Sequence, residues 1–287
     1  MAAYAAEHDC VINKENVKHY LTGYGWPPGL QETCINSFTL FPIRYFVIDD
    51  SGSMNTSDGH RLLQTSGLNK MVNSTRWGEL IDGVRFHAGL AEAAGSPIEF
   101  RFLNELNPIT VGAAAGAATA GAATASEGYQ HLMRVLEYKS PSGQTPLCKQ
   151  INAIVAQVRS LEHALRSRGH KAVIIIATDG ESTDGDIAAA LKPLEELPCW
   201  VVVRICTDEE SVVNYWNGID SKLELDMDVL DDLKGEAEEI AQAGNDWVTY
   251  GEPLHRLREF GCQLREFDLI DEARLSVEQM LAILGAM

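Results

Sequence analysis

The chain has 287 residues, 45% hydrophobic and 22% charged, the balance of a globular protein long enough to bury a sizeable core. Its formal net charge of -18 excludes the basic footprint of a nucleic-acid binder and sets its average surface against an anionic membrane. No apolar run reaches the length of a membrane span and the first ten residues lack the pattern of a secretory signal, so a cytoplasmic protein is expected.

Residues 1–40 precede the first core strand and read as an N-terminal extension. Within it, Glu15 to Gly23 can form a short helix, which Trp26-Pro27-Pro28-Gly29 breaks. Ile43 to Ile48 is mostly apolar, with Arg44 as the charged exception, and reads as a parallel strand covered on both faces. Leu80, Val84, Ala88 and Ala91 form a modest helical stripe. Ile98 to Leu103 is a further strand, in which Glu99 and Arg101 alternate with apolar residues. Residues 112–126 are almost all Ala, Gly and Thr and read as a flexible insertion before a helix over Tyr129 to Tyr138.

Leu147, Ile151, Ile154, Val155, Val158, Leu161 and Leu165 make a strong amphipathic helix, ended by Gly169. Ala172 to Thr178 and Trp200 to Cys206 are two more buried strands. Between them Ile187 to Leu197 is helical, with Pro193 placed to break or kink it. Val229 to Ala243 is another helix, and the acidic stretch from Asp220 to Glu239 reads as a solvated helix face. Gln263 to Asp268 alternates and suits an edge strand. Ser276 with Gln279 forms a capping box that opens a last helix, so 271–287 is expected to pack on a domain spanning 41–270. Strands alternating with helices imply an α/β fold: a doubly wound, mostly parallel sheet flanked by helices, Rossmann-like in architecture.

The six cysteines, Cys10, Cys34, Cys148, Cys199, Cys206 and Cys262, form no Cys-x-x-Cys pair, so neither a zinc site nor a redox motif is indicated. They read as small apolar residues of a reduced interior.

The chemistry gathers at strand ends. Asp49-Asp50-Ser51-Gly52-Ser53 follows the strand ending at Ile48, and Asp179-Gly180-Glu181 follows the one ending at Thr178. Open α/β sheets bind ligands just past the carboxyl ends of their strands. Asp49, Ser51 and Ser53 alternate along an extended exit and can converge. Thr145 lies just before the strongest helix, with Pro146 suited to a first-turn position. A cap or a turn accounts for any one of these residues alone.

In this order, Asp49-x-Ser51-x-Ser53, Thr145 and Asp179 resemble the metal ion-dependent adhesion site (MIDAS) of von Willebrand factor type A (VWA) domains, a likeness covering roughly residues 40–270. The resemblance implies that Ser51 and Ser53 bind a metal directly. It implies that Thr145 does so directly or through water, and that Asp49 and Asp179 hold metal-bound waters or bind directly. Asp50 occupies a variable position and receives no role. The implied ion is Mg²⁺, with Mn²⁺ or Ca²⁺ as alternatives. Mg²⁺ takes six oxygen ligands at about 2.0–2.1 Å and keeps several waters, so a Glu or Asp from a partner protein would complete charge and geometry. The expected function is metal-dependent protein binding without catalysis. A Mg²⁺-dependent phosphoester hydrolase is the main alternative. Against it, the chain lacks both a Gly-x-x-x-x-Gly-Lys-Ser/Thr phosphate loop and a Gly-x-Ser-x-Gly elbow. An interaction protein whose metal is incidental is the third reading.

Overall fold

The computed structural model describes residues 12–65, 68–112, 126–207, 209–262 and 264–286. Apart from Gly112 and Ser126, the insertion expected over 112–126 lies outside the described residues. In chain order the elements are α1 (Lys14–Gly23), α2 (Pro28–Leu40), β1 (Ile43–Ile48), β2 (Gly59–Thr65), β3 (Leu68–Ser74), α3 (Arg76–Ala94), β4 (Ile98–Phe102), β5 (Ile109–Val111), α4 (Glu127–Tyr138) and α5 (Leu147–Ser167). They continue with β6 (Ala172–Thr178), α6 (Ile187–Leu191), β7 (Cys199–Ile205), α7 (Glu210–Asp220), β8 (Met227–Leu230), α8 (Leu233–Gln242), α9 (Glu252–Glu259), α10 (Arg265–Asp268) and α11 (Val277–Ala286).

The main sheet has the order β5-β4-β1-β6-β7-β8. Neighbours run parallel except β5, which pairs antiparallel with β4. This is the doubly wound α/β architecture. Every residue of β1, β6 and β7 is buried, because both sheet faces are covered. Alternation then divides the core in two. Phe46, Ile48, Val173, Ile175 and Val202 face one side, where they join residues of α1, α2, α3, α9 and α11. Tyr45, Val47, Ile174, Ile176 and Val203 face the other, against the Leu147–Leu165 stripe of α5. No helix among the described residues is long and apolar enough to cross a membrane.

Arg44 of β1 and Arg204 of β7 are buried and partnered. Arg44 donates to the carbonyls of Phe41 and Phe260, at 2.7 and 3.1 Å, and its guanidinium lies 3.8 Å from the Phe260 ring centre. Arg204 pairs with Glu79 and, at 3.1 Å, with Glu259.

Several local expectations match the structure. Helix α6 passes at Lys192 into a 3₁₀ turn that contains Pro193. Ser276 and Gln279 form the reciprocal box, with 2.8 Å from the Ser276 amide to Gln279 Oε1 and 3.3 Å from the Gln279 amide to Ser276 Oγ. Others differ. Pro28 opens α2 instead of only ending α1, since a first-turn proline loses no helix hydrogen bond. β2 and β3 form a separate antiparallel hairpin. The expected edge strand over 263–268 is replaced by the helical turn α10, and β8 takes the edge beside β7. The acidic stretch is not simply a solvated face. Asp228 and Glu236 are buried, and both pair with Arg258, at 3.2 and 2.5 Å.

Candidate metal centre

The chain order places β1, β4 and β5 on one side and β6, β7 and β8 on the other. The carboxyl ends of β1 and β6 therefore frame the topological switch point, where such sheets leave a crevice. Ile48 is in register with Ala177, and the Asp49 amide extends the ladder to the Ala177 carbonyl at 2.9 Å. Asp49 and Asp179 thus leave adjacent strands at the same rim.

Four of the five expected donors belong to one hydrogen-bonded run. Ser51 Oγ lies 3.0 Å from Ser53 Oγ, and Ser53 Oγ donates to Asp179 Oδ1 at 2.8 Å. Asp49 Oδ1 accepts from the Ser51 amide at 2.9 Å, and its Oδ2 accepts from Thr178 Oγ1 at 2.6 Å. Oxygens bound about 2.1 Å from an octahedral ion at right angles stand about 3 Å apart. The Ser51–Ser53–Asp179 spacings are those of ordinary hydrogen bonds and equal the length of such an edge, so this donor set is compatible with a small hard cation. Asp49, Ser51 and Asp179 are buried while Ser53 is exposed, which leaves the rim open on one side. Burial pushes Asp49 up to about 6, against the lowering effect of its bonds to Thr178 and Ser51.

Thr145 reaches the same rim through its main chain. The Gly52 amide donates to the Gly143 carbonyl at 3.2 Å, bringing the two loops together. The Thr145 amide donates to Thr183 Oγ1 at 3.1 Å, and the Thr145 carbonyl accepts from the Thr183 amide at 2.9 Å. These contacts fix Thr145 between the two aspartate-bearing loops and start α5 beside them.

Two residues central to the geometry were not singled out from sequence. Asp50 is 1% exposed and knits the rim together. Its Oδ1 accepts from the Asn104 amide and side chain, both at 2.9 Å, and its Oδ2 pairs with Lys139 at 2.8 Å. Its carbonyl accepts from the Ser142 amide at 2.8 Å. The second is Arg76, the first residue of α3 and 4% exposed. It pairs with Asp179 Oδ2 at 3.0 Å, with both oxygens of Asp58 at 2.8 and 2.5 Å, and with Glu209 at 2.6 Å. Asp58 therefore has a side-chain cation of its own. A positive side chain at a helix N-terminus opposes the macrodipole, and that oddity was the available sign of its role.

Elsewhere among the described residues, Glu236, Glu239 and Asp271 bring carboxylate oxygens within 4.8 Å of one another. Arg258 already reaches Glu236 and Asp271, at 2.5 and 2.8 Å, so these two are explained as partners of a buried guanidinium, and Glu239 is exposed. A scan against protein-family models finds no match, and a search of curated proteins finds no similar chain.

Proposed function

We propose that this chain is a metal-dependent protein-binding module of the VWA type. In this reading Asp49, Ser51, Ser53, Thr145 and Asp179 hold one divalent cation, Mg²⁺ with Mn²⁺ or Ca²⁺ as substitutes. When bound, the cation supplies a position that accepts a Glu or Asp side chain from a partner protein. Supporting it most directly is the row of Ser51, Ser53 and Asp179 oxygens at 3.0 and 2.8 Å, set at the sheet's switch point. Asp49 braces the loop through the Ser51 amide, and Asp50 fixes it to Asn104 and Lys139. The buried free thiols Cys34, Cys148, Cys199 and Cys206 favour a reducing compartment, in keeping with a cytoplasmic location. The acidic surface disfavours nucleic acid.

The reading is tested by titrating the full chain with Mn²⁺ in a calorimeter. A single saturable site is expected, and heats no larger than dilution would remove the proposal. Release of an acidic partner by EDTA, with no phosphoester turnover in Mg²⁺, is the expected companion result. Thr145→Ala is expected to weaken partner capture more than Mn²⁺ binding. Equal losses would show that Thr145 has no separate part in engaging the partner.

Asp49 adds a pH signature. A carboxyl raised from 3.8 to about 6 favours the fold fully below its unfolded value and loses that contribution as pH climbs through about 6. A cation beside the ionised carboxylate offsets the loss. Mg²⁺ is therefore expected to raise the melting temperature more at about pH 7.5 than at about pH 5. Equal rises at both would separate the effect from Asp49.

A further inference from the structure

Arg76 is an expensive residue to place where it is. Its guanidinium is 4% exposed, at the positive end of α3, and needs carboxylate partners to be tolerated. The fork to Asp58 and the contact to Glu209 anchor it, which aims Nη1 at Asp179 Oδ2, 3.0 Å away. Asp179 is thereby divided. Oδ1 accepts from Ser53 on the candidate site side, and Oδ2 is committed to Arg76. Asp50, in the loop that carries both serines, is committed to Lys139 at 2.8 Å. Little free negative charge is left beside the serine hydroxyls beyond Asp49.

Resting on the metal-centre reading above, we propose that Arg76 is a built-in counter-cation that keeps the site weak for a bare divalent ion and makes its occupancy depend on an incoming carboxylate. The physical basis is additive charge. A guanidinium bonded to the far oxygen of a ligand carboxylate repels a cation placed at the near one. An external carboxylate compensates that repulsion. Ion and acidic partner then bind cooperatively, and by linkage each strengthens the other by the same factor. Without Arg76, Asp58, Asp179 and Glu209 all lose its charge, and the ion is held tightly whether or not a partner is present. In that case the coupling fades.

The test is Mn²⁺ titration of the full chain by calorimetry, with and without acetate as the carboxylate probe, at fixed ionic strength. Acetate is expected to raise Mn²⁺ affinity severalfold in the wild type. Arg76→Gln is expected to bind Mn²⁺ about tenfold more tightly without acetate and to gain less from it. Arg76→Lys, which keeps the charge, is expected to stay near wild type in both arms. A folded Arg76→Gln with equal or weaker affinity overturns the proposal, and so does a Lys variant as tight as the Gln variant. If Arg76→Gln does not fold, Glu209→Gln carries the test. It removes one exposed anchor and leaves Arg76 less compensated, so Mn²⁺ affinity should fall severalfold, and an unchanged value overturns the proposal. If the wild type and all variants bind no Mn²⁺, the metal-centre reading itself fails.

Discussion

Asp49→Asn is expected to lower Mn²⁺ affinity on the order of a hundredfold while the fold survives. The substitution keeps shape and an acceptor for the Ser51 amide, and the new amide can still meet Thr178 Oγ1. What disappears is charge. Lys139 pairs with Asp50 and Arg76 shares Asp179, so Asp49 is the least compensated carboxylate at the rim. Its removal should be felt more strongly by the ion than loss of any serine hydroxyl. Thermal stability gives the internal control. At neutral pH the unliganded protein bears the cost of ionising a fully buried Asp49, and Asn does not. Unliganded Asp49→Asn should therefore melt no lower than wild type near pH 7 and should lose the rise produced by Mg²⁺. A variant with wild-type Mn²⁺ affinity would remove Asp49 from the site.

The parts of this molecule that can be read from its sequence are those whose reasons are local. β1 and β6 are unbroken apolar runs that end at aspartates, so the strands and the rim they share follow directly. The α5 stripe and the Ser276–Gln279 box are equally self-contained. The β2–β3 hairpin is not, because GHRLLQT and LNKMVNS mix polar and apolar residues without a sustained period. β8 is four residues long and sits inside an acidic stretch that looks helical. At Arg265–Asp268 the alternation is real but too short to decide. The chain there forms a helical turn that buries Phe267 in the core.

The candidate site divides along the same line. Asp49, Ser51, Ser53, Thr145 and Asp179 are legible as a pattern of oxygen donors at loop positions. Arg76 and Asp50 are not, since their meaning lies in partners far along the chain. Arg76 meets Asp179 across 103 positions and Glu209 across 133, and Asp50 meets Asn104 across 54. Donor type can be read residue by residue. The charge that tunes a donor can be read only after the sheet has brought distant segments together.

Glu259→Gln is expected to cost about 3–5 kcal/mol of stability and to lower the melting temperature on the order of 10 °C. Glu259 is 2% exposed and stands between Arg256 at 2.7 Å, Arg204 at 3.1 Å, His87 at 3.1 Å and His255 at 3.4 Å. Burial alone would raise its pKa, but Arg256 and the two histidines hold it well below the usual carboxylate range. A depressed carboxyl stabilises the fold above its unfolded value and loses that contribution as pH falls below about 4.5. The Gln variant should therefore lose less stability than wild type across that acid window. Neutralising one partner leaves buried guanidinium charge on Arg204 and Arg256 short of compensation, which is why the cost exceeds that of a surface change. Leu106→Ser, at a side chain 84% exposed, should shift stability by less than about 0.5 kcal/mol. The network also bears on the site, because Arg204 holds Glu79 one turn along α3 from Arg76. At a temperature where Glu259→Gln is folded, its Mn²⁺ affinity should still match wild type, since Arg76 keeps Asp58 and Glu209. Unchanged melting would show that Glu79 alone satisfies Arg204. Loss of Mn²⁺ binding in the folded variant would show instead that Glu259 helps set the position of Arg76.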